Sequence, residues 1–520
     1  MAASASNSGY APPCASCAAN SSPALSLRVL FADITPRAGQ LDLLDPASTT
    51  TGNAEGDPEE PVRPDGYLRP DWADGGWVLG WPRGERAARW SALALEVHDA
   101  QLRALNALPD HRPEPSSLPL PVLTAWSESA AELLCVELAH GGLPLDRDTA
   151  EQVLTGWIGP RTADASAEDA VRRHRDDAVR SLVPGAGDVD LRNAAQVRKL
   201  LAHVGIDVPD TRSWRLEPFR AMHPVVDALL TWRRADRFAT TYGYSWLDRH
   251  VGTGGGTRTR LRGAWSGSDG AGGRMTAQAG LHNLPTELRT AVRADDGCVL
   301  VRADLGQIEP RVLAAVSGDP AFTAAAAQDD LYSPVAAALG CERATGKVAI
   351  LAAMYGQTSG TAADALRDLD RTYPIAMRYL RAADDAGRAG RDLRTYGGRL
   401  IRMPPLSPVP AGTPDPERAA RQAAASRGRF ARNAVVQGPA AELFKMWAVT
   451  VRAGLPPLRG QIVLCLHDEL LVQVPTRHGN DAAELLQHSL HSAAGRYTAG
   501  SGVRFVVDIA IVHRWSEAKC

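Results

Sequence analysis

Lysine is scarce in this chain of 520 residues. Its 57 basic residues include four lysines, which leaves 53 arginines. The formal net charge of -2 excludes a bulk electrostatic attraction to nucleic acid, so any positive surface that binds nucleic acid must be local. Lys347 therefore stands out, because a compact ammonium group contacts phosphate differently from a planar guanidinium group.

Cysteines and long apolar runs are also scarce. Seven cysteines are scattered along the chain, and only Cys14 and Cys17 form a C-x-x-C pair, without the second pair that a structural zinc site needs. No apolar run reaches the about 18 residues of a membrane helix. The N-terminus lacks the basic start and apolar centre of a secretory signal. We therefore expect a cytoplasmic protein with free thiols and no membrane contact.

The composition changes along the chain. Residues 1–24 are rich in Ala, Ser and Pro and are expected to be a disordered tail, and residues 25–125 a small N-terminal domain. Helical periodicity begins near residue 126. The Gly-rich segment 252–273 is predicted to be a basic loop. Strand patterns return at residues 298–303, 461–466, 470–474 and 503–512, and residues 320–390 are predicted to be helical.

Two aspartates lie at predicted strand ends. Asp304 closely follows the apolar run 298–301, at the end of a predicted strand over 299–303, and Asp468 lies in the His-Asp-Glu tip of a predicted hairpin. Neighbouring strand ends can bring the two carboxylates close enough to hold two Mg²⁺ ions roughly 3.5–4 Å apart. One ion would activate an attacking 3′-hydroxyl, and the other would bind a triphosphate. Taken singly, each aspartate is more often a solvated turn residue.

A basic helix face separates these aspartates in the sequence. Arg343, Lys347, Leu351 and Tyr355 recur at every fourth position and therefore follow one face of a predicted helix. The two cations near the helix N-terminus are placed to meet phosphates, and Tyr355 is placed to stack on a base. The alternative is a surface helix with two solvated charges. The intervening apolar residues favour a largely buried helix whose charges have partners.

Several segments resemble family A DNA polymerases, the bacterial DNA polymerase I group. Residues 301–313, 343–356 and 466–470 resemble motifs A, B and C of that family, and further matches occur in the same order at residues 273–285 and 429–442. The resemblance covers about residues 130–520. It implies an α+β right-hand fold with an antiparallel palm sheet. The thumb would span residues 126–255, the palm 256–320 and 430–520, and the fingers 321–429.

The resemblance also raises the question of an exonuclease. The family often carries a 3′–5′ exonuclease domain whose metal site begins with Asp-x-Glu on a strand. Before residue 130 this pattern occurs only at Asp57-Pro58-Glu59, in a Pro-rich acidic stretch. We therefore expect residues 25–125 to be an inactive exonuclease remnant or an unrelated cap, and we expect no 5′-nuclease domain.

The family roles carry over residue by residue. Asp304 and Asp468 would bind two Mg²⁺ ions, or Mn²⁺ in their place, with the Leu305 carbonyl, and Glu469 would be an accessory catalytic acid. Glu309 would be the steric gate that disfavours a 2′-hydroxyl. The incoming dNTP would also contact Gln307, Tyr332, Arg343, Lys347, Leu351 and Tyr355. The primer-template would contact Arg274, Asn283, Arg429, Asn433, Gln437 and His467.

Four residues depart from the family pattern. Leu351 replaces an aromatic residue, Tyr332 replaces a common His, and Gly306 and Pro310 differ within motif A. With the catalytic acids intact, the expected activity is that of a nucleotidyltransferase that extends DNA primers as a monomer in replication or repair. One alternative is a single-subunit RNA polymerase, against which Glu309 argues. Another is a non-catalytic primer-template-binding homologue.

Overall fold

The computed structural model describes residues 57, 58, 60–62, 69, 72, 83–252, 259–356, 362–406, 413 and 415–518. The chain divides into two compact units, residues 1–109 and 110–520. The predicted disordered tail lies outside the described residues, as does Glu59 of the Asp-x-Glu pattern. In the first unit, helix α1 spans Arg83–Asn106, and the ring of Trp90 stacks on Trp72 at 6.3 Å.

The second unit begins with a mainly helical region. Asp146, Asp164 and Asn193 cap three of its helices, because each side chain accepts a hydrogen bond from a backbone N–H in the first turn. Helices α4, α5 and α7 share a small core of their own. The elements are α2 (Leu120–Gly141), β1 (Leu143–Pro144), α3 (Arg147–Ile158), α4 (Ala165–Arg180), α5 (Ala194–His203), α6 (Ser213–Leu216), α7 (Pro224–Thr241) and α8 (Tyr244–His250).

A strand-rich segment follows, where a basic loop was predicted. The prediction is wrong for Arg260–Leu261 and Trp265–Asp269, because the first of these strands pairs with β1 and the second forms an antiparallel hairpin with Arg274–Ala277. The strands that pair with this segment, Leu143–Pro144 and Arg274–Ala277, lie outside it, so its composition alone did not indicate strands. These elements are β2 (Arg260–Leu261), β3 (Trp265–Asp269), β4 (Arg274–Ala277) and β5 (Cys298–Gly306).

Helices dominate the next region, as predicted. Helix α9 begins after Gln307, and Pro310 lies in its first turn, where the missing N–H costs no hydrogen bond. The helices α9–α14 pack around one core with the first half of α15. The elements are α9 (Ile308–Ser317), α10 (Pro320–Ala326), α11 (Tyr332–Leu339), α12 (Arg343–Tyr355), α13 (Ala362–Thr372), α14 (Pro374–Arg388), β6 (Leu393–Arg394), β7 (Leu400–Ile401) and α15 (Pro416–Gly454).

The central sheet is antiparallel, with strand order β10-β5-β9-β8. Its strands alternate between two cores: Val301 and Val472 face the core shared with α2, α15 and α16, whereas Leu300 and Leu471 face the opposite one. The remaining elements are β8 (Gln461–Cys465), β9 (Glu469–Pro475), α16 (Gly479–Tyr497) and β10 (Val506–Val512). Among the described helices, none is both long and apolar enough to cross a membrane.

The strand that carries Asp304 is longer than predicted. Pairing with β10 continues through Leu305 and Gly306, so Asp304 lies inside β5 rather than at its end. A Cβ atom on Gly306 would lie 2.9 Å from a methyl group of Val506, which the missing side chain avoids. Gln307 then adopts a left-handed conformation with φ of 59° and turns the chain into α9.

Candidate active site

The sheet brings Asp304 and Asp468 together. Asp304 pairs with Glu469 across β5 and β9, and the Leu305 N–H donates to the Asp468 carbonyl at 2.7 Å. The hairpin tip is closed by the Leu466 N–H, which donates to the Glu469 carbonyl at 2.8 Å. Because side chains alternate along a strand, Asp304 and Glu469 lie on the same face of the sheet.

The two aspartates form a crowded acidic pair. Burial, together with the negative charge of Asp468, raises the pKa of Asp304 to about 6. The Asp468 carboxyl group also loses hydration among the surrounding protein atoms, and with Glu469 and Glu309 nearby its pKa is raised too. Both pKa values are raised first by loss of hydration and second by repulsion between the neighbouring carboxylates. A bound cation would relieve that repulsion.

Arg302 is a site residue that the sequence reasoning missed. Its Nη2 lies 2.5 Å from Asp304 Oδ2, and its Nε lies 3.1 Å from Glu469 Oε1. The Glu469 carboxylate also accepts a hydrogen bond from Trp515 Nε1 at 2.5 Å. The available signal was the spacing, because a residue two positions before Asp304 on a strand shares its face. Trp515 is far away in the sequence and gave no signal.

Glu309 is fixed at the start of α9 by two partners. Arg274 Nη2 lies 2.5 Å from Glu309 Oε1, and the Tyr355 hydroxyl donates to Oε2 at 2.9 Å. Burial and the charge of Glu309 raise the pKa of Tyr355 to about 12. Gln437 also hydrogen-bonds to Tyr355. The structure thus joins four predicted site residues from β4, α9, α12 and α15 into one cluster.

The basic face of α12 is open to solvent at its start. Arg343 and Lys347 are exposed, and both cations lie over the ring of Tyr332, at 5.6 and 5.9 Å from its centre. Arg343 also makes an ion pair with Asp330, to which Gln307 Nε2 donates at 2.7 Å. The second half of the helix is buried, with Leu351 partly buried against the core of α9–α14.

The residues predicted to contact DNA lie on four segments: β4, the turn Leu281–Asn283, α15 and the tip of the β8–β9 hairpin. Arg429, Asn433 and Gln437 are spaced by four along α15 and share one face. Arg429 is exposed, and within the described part of the chain Asn433 Oδ1 is buried without a hydrogen-bond partner. The ring of His467 stacks on His282 at 5.1 Å. Asn283 follows His282 in the chain, and its carbonyl accepts a hydrogen bond from the Tyr242 hydroxyl at 2.7 Å.

The donor set suits a hard divalent cation. Mg²⁺ prefers oxygen ligands and is usually held by one or two carboxylates, with water and substrate phosphates completing its shell. Asp304 and Asp468 supply two carboxylates of this kind. Among the described residues, no group of three or more His, Cys, Asp or Glu side chains is placed to hold a metal by itself. Two carboxylates leave room in such a shell for water and a phosphate ligand.

Comparison with known proteins identifies the family. The model of DNA polymerase family A matches residues 186–517. The chain belongs to DNA polymerase family A, which confirms the resemblance seen in the sequence and disfavours the RNA polymerase alternative.

The relatives found are bacterial DNA polymerases I. The chain is 29% identical over 301 residues to DNA polymerase I of Deinococcus radiodurans, covering 52% of this chain and 30% of that protein. It is 31% identical over 307 residues to DNA polymerase I of Chloroflexus aurantiacus, covering 53% and 31%. The chain thus spans about a third of the length of these relatives.

A solved structure confirms the predicted α+β polymerase fold. The POL domain of Pol1 from M. smegmatis, in complex with DNA primer-template and dNTP, matches with a TM-score of 0.63 and 22% identity. The match covers 84% of this chain and 75% of that chain.

Proposed function

We propose that this chain is a DNA-directed DNA polymerase that adds dNTPs to a primer 3′-hydroxyl and releases pyrophosphate. The observation that supports this function best is the meeting of Asp304 and Asp468 across β5 and β9, in a chain of DNA polymerase family A. An acidic pair on an antiparallel sheet, with a basic helix nearby in the same unit, suits phosphoryl transfer by positioning and charge stabilisation.

Asp304, Asp468 and the Leu305 carbonyl would hold two Mg²⁺ ions, for which Mn²⁺ could substitute. The ions would activate the attacking hydroxyl and stabilise the charge on the triphosphate. Glu469 would act as an accessory acid. The Glu469 carboxylate contacts Arg302 and accepts a hydrogen bond from Trp515, so these two partners hold it in place beside the site.

The exposed start of α12 would bind the triphosphate. Arg343 and Lys347 supply a guanidinium fork and a point charge near a helix N-terminus, where the helix dipole also favours anions. Both cations lie over the Tyr332 ring. Gln307, Leu351 and Tyr355 would line the nucleotide site further along.

Glu309 would select dNTPs over rNTPs. Its two carboxylate oxygens are each held by a partner, Arg274 and Tyr355, so the side chain cannot move aside easily for a 2′-hydroxyl. The six predicted DNA-binding residues (Arg274, Asn283, Arg429, Asn433, Gln437 and His467) would contact the primer-template. Contacts to the backbone and minor groove would check base-pair geometry rather than sequence.

We further propose that the chain is a monomeric enzyme of replication or repair near the nucleoid, with thumb, palm and fingers at the predicted boundaries. The N-terminal residues 25–125 would be an exonuclease remnant without activity.

Primer extension tests the proposal. A labelled primer-template is incubated with Mg²⁺ and dNTPs, using wild type, Asp304→Ala, Asp468→Ala and a control, Asp385→Ala, which removes an exposed carboxylate on α14. We expect wild type and the control to extend the primer, and the two site variants to lose at least about 100-fold in rate, the size typical of losing one charge-stabilising group.

The other outcomes separate the alternatives. Tight binding of primer-template without extension by wild type would support the non-catalytic homologue. Primer shortening without dNTPs that persists in both site variants would show an active exonuclease in the N-terminal region. Extension with rNTPs as efficient as with dNTPs would contradict the role of Glu309.

A further inference from the structure

Arg302 lies beside Asp304 and Glu469, and its charged group is buried in the protein. Its side chain is only 4% exposed, yet it contacts two of the three acids of the site, Asp304 at 2.5 Å and Glu469 at 3.1 Å. A more distant contact, at 3.6 Å, reaches the exposed Asp508 on β10. A guanidinium group always carries its charge, so the protein places a permanent cation directly beside the proposed metal ligand Asp304.

The surroundings of Glu469 fix this arrangement. The Glu469 side chain is 6% exposed. Its Oε1 atom accepts a hydrogen bond from Trp515 Nε1 at 2.5 Å and also contacts Arg302. The guanidinium group of Arg289 covers the Trp515 ring at 4.2 Å. Because Trp515 also holds Glu469 in place, Glu469 stays a buried counter-charge for Arg302 even when the contact between Arg302 and Asp304 is broken.

A cation that touches Asp304 competes with a metal ion for the same carboxylate. Charge-assisted hydrogen bonds are the strong ones, and the Arg302–Asp304 contact has the short length expected for such a bond. A divalent ion entering the site alone must either displace Arg302 from Asp304 or share the carboxylate with it. Either route lowers the net gain from binding.

We propose that Arg302 is a positioning residue that links Asp304 to Glu469 and weakens divalent-ion binding in the absence of nucleotide. This inference rests on the proposed function, because it takes Asp304 and Asp468 as the metal ligands. Arg302 would thereby make occupancy of the site depend more on the phosphate oxygens of the substrate, which complete the shell of Mg²⁺.

Binding of Mn²⁺ alone tests the inference without measuring activity. The full chain, free of nucleotide and DNA, is titrated with Mn²⁺, and the free ion is followed by its electron paramagnetic resonance signal. Asp468→Asn serves as the blank, and the Mn²⁺ that this variant still binds is subtracted as binding at other sites. If Asp468→Asn binds Mn²⁺ as well as wild type does, the metal assignment itself fails, separately from the role of Arg302.

Arg302→Gln should bind Mn²⁺ about tenfold more tightly than wild type, because one charged hydrogen bond no longer has to be broken or shared. Arg302→Lys retains the charge and should stay within about threefold of wild type. Arg293→Gln, which removes a surface arginine paired with Asp296, should change nothing. Unchanged or weaker binding by Arg302→Gln, or binding by Arg302→Lys as tight as that of Arg302→Gln, would overturn the inference.

A second variant guards against loss of the fold. Arg302→Gln leaves Glu469 buried with one partner fewer, so the double variant Arg302→Gln/Glu469→Gln replaces the buried ion pair with two amides and leaves the net charge unchanged. We expect this variant also to bind Mn²⁺ about tenfold more tightly than wild type, since Asp304 has lost its competing cation. Weaker binding would show instead that Glu469 is a metal ligand and would overturn the inference.

Discussion

Arg343 and Asp330 face each other through two parallel hydrogen bonds, from Nε to Oδ2 at 2.8 Å and from Nη2 to Oδ1 at 2.9 Å. This fork-to-fork pair holds the pKa of Asp330 well below its usual range. The same carboxylate accepts hydrogen bonds from the Tyr332 and Ser333 N–H groups at the start of α11. The guanidinium group proposed to bind the triphosphate is therefore already occupied by a carboxylate.

Asp330→Asn should lower the KM for dNTPs. The amide keeps one acceptor oxygen for the start of α11, replaces the other with an NH2 donor, and removes the charge that competes with the triphosphate. Exposed ion pairs contribute about 0.2–1 kcal/mol, so the expected decrease is up to about fivefold. Steady-state kinetics measure it, with Arg343→Ala as the comparison that should raise the KM. A higher KM for Asp330→Asn would mean that Asp330 orients Arg343 instead.

Glu309→Ala should relax the choice of sugar. Removing the carboxylate opens the space proposed to exclude a 2′-hydroxyl and leaves Arg274 and Tyr355 without their shared partner. We expect the ratio of kcat/KM for dNTP over rNTP to fall at least about tenfold, the effect of a difference near 1.4 kcal/mol in transition-state binding. Glu417→Ala, on the exposed start of α15, should leave the ratio unchanged. An unchanged ratio for Glu309→Ala would remove it as the gate.

Lys445→Met should destabilise the second unit. The Lys445 side chain is fully buried, and its Nζ atom pairs with Glu128 at 2.5 Å and donates to the Gly273 carbonyl at 2.6 Å. Removing one partner of a buried pair typically costs about 3–5 kcal/mol of folding free energy. Urea denaturation measures the loss. Lys199→Met, at an exposed position on α5, is the matched control and should lie within about 0.5 kcal/mol of wild type.

Stability should fall as the pH drops from 6.5 towards 4, in part because of His282. Burial, with His467 nearby, lowers the pKa of His282 from 6.5 to about 4, so the folded protein keeps this ring neutral while the unfolded chain takes up a proton. Between these pH values the unfolded state binds more protons, and stability decreases with decreasing pH. In thermal unfolding, His282→Asn should show a shallower decrease than wild type or His174→Asn, which changes an exposed ring. Equal slopes would exclude this contribution.

The sequence predicted the parts of the site that depend on local pattern. The spacing of Arg343, Lys347 and Tyr355 predicted one helix, and the structure has α12 over Arg343–Tyr355. The apolar halves around His467 and Asp468 predicted a hairpin with Asp468 at its tip, which β8 and β9 form. Helices and hairpins of this kind are set by residues close together in the chain, so their periodicity is visible without the fold.

Contacts between distant segments could not be predicted in the same way. The length of β5 depended on its pairing with β10, and the β3–β4 hairpin formed in a segment whose glycines indicated a loop. The partners of Glu309 come from β4 and α12, and those of Asp330 include Gln307, just before α9, and Arg343 on α12. Contacts between segments so far apart in the chain depend on how the whole second unit packs.

The sequence by itself determined the family and the identity of the acidic and basic groups, because these follow from residue types in a fixed order. Only the tertiary structure decided which charges compensate each other. Arg302 lies beside Asp304 and Glu469 since neighbouring antiparallel strands place these side chains on one face, with Trp515 closing the other side of Glu469. The separation of charges in space, rather than their order in the chain, sets the electrostatics of the site.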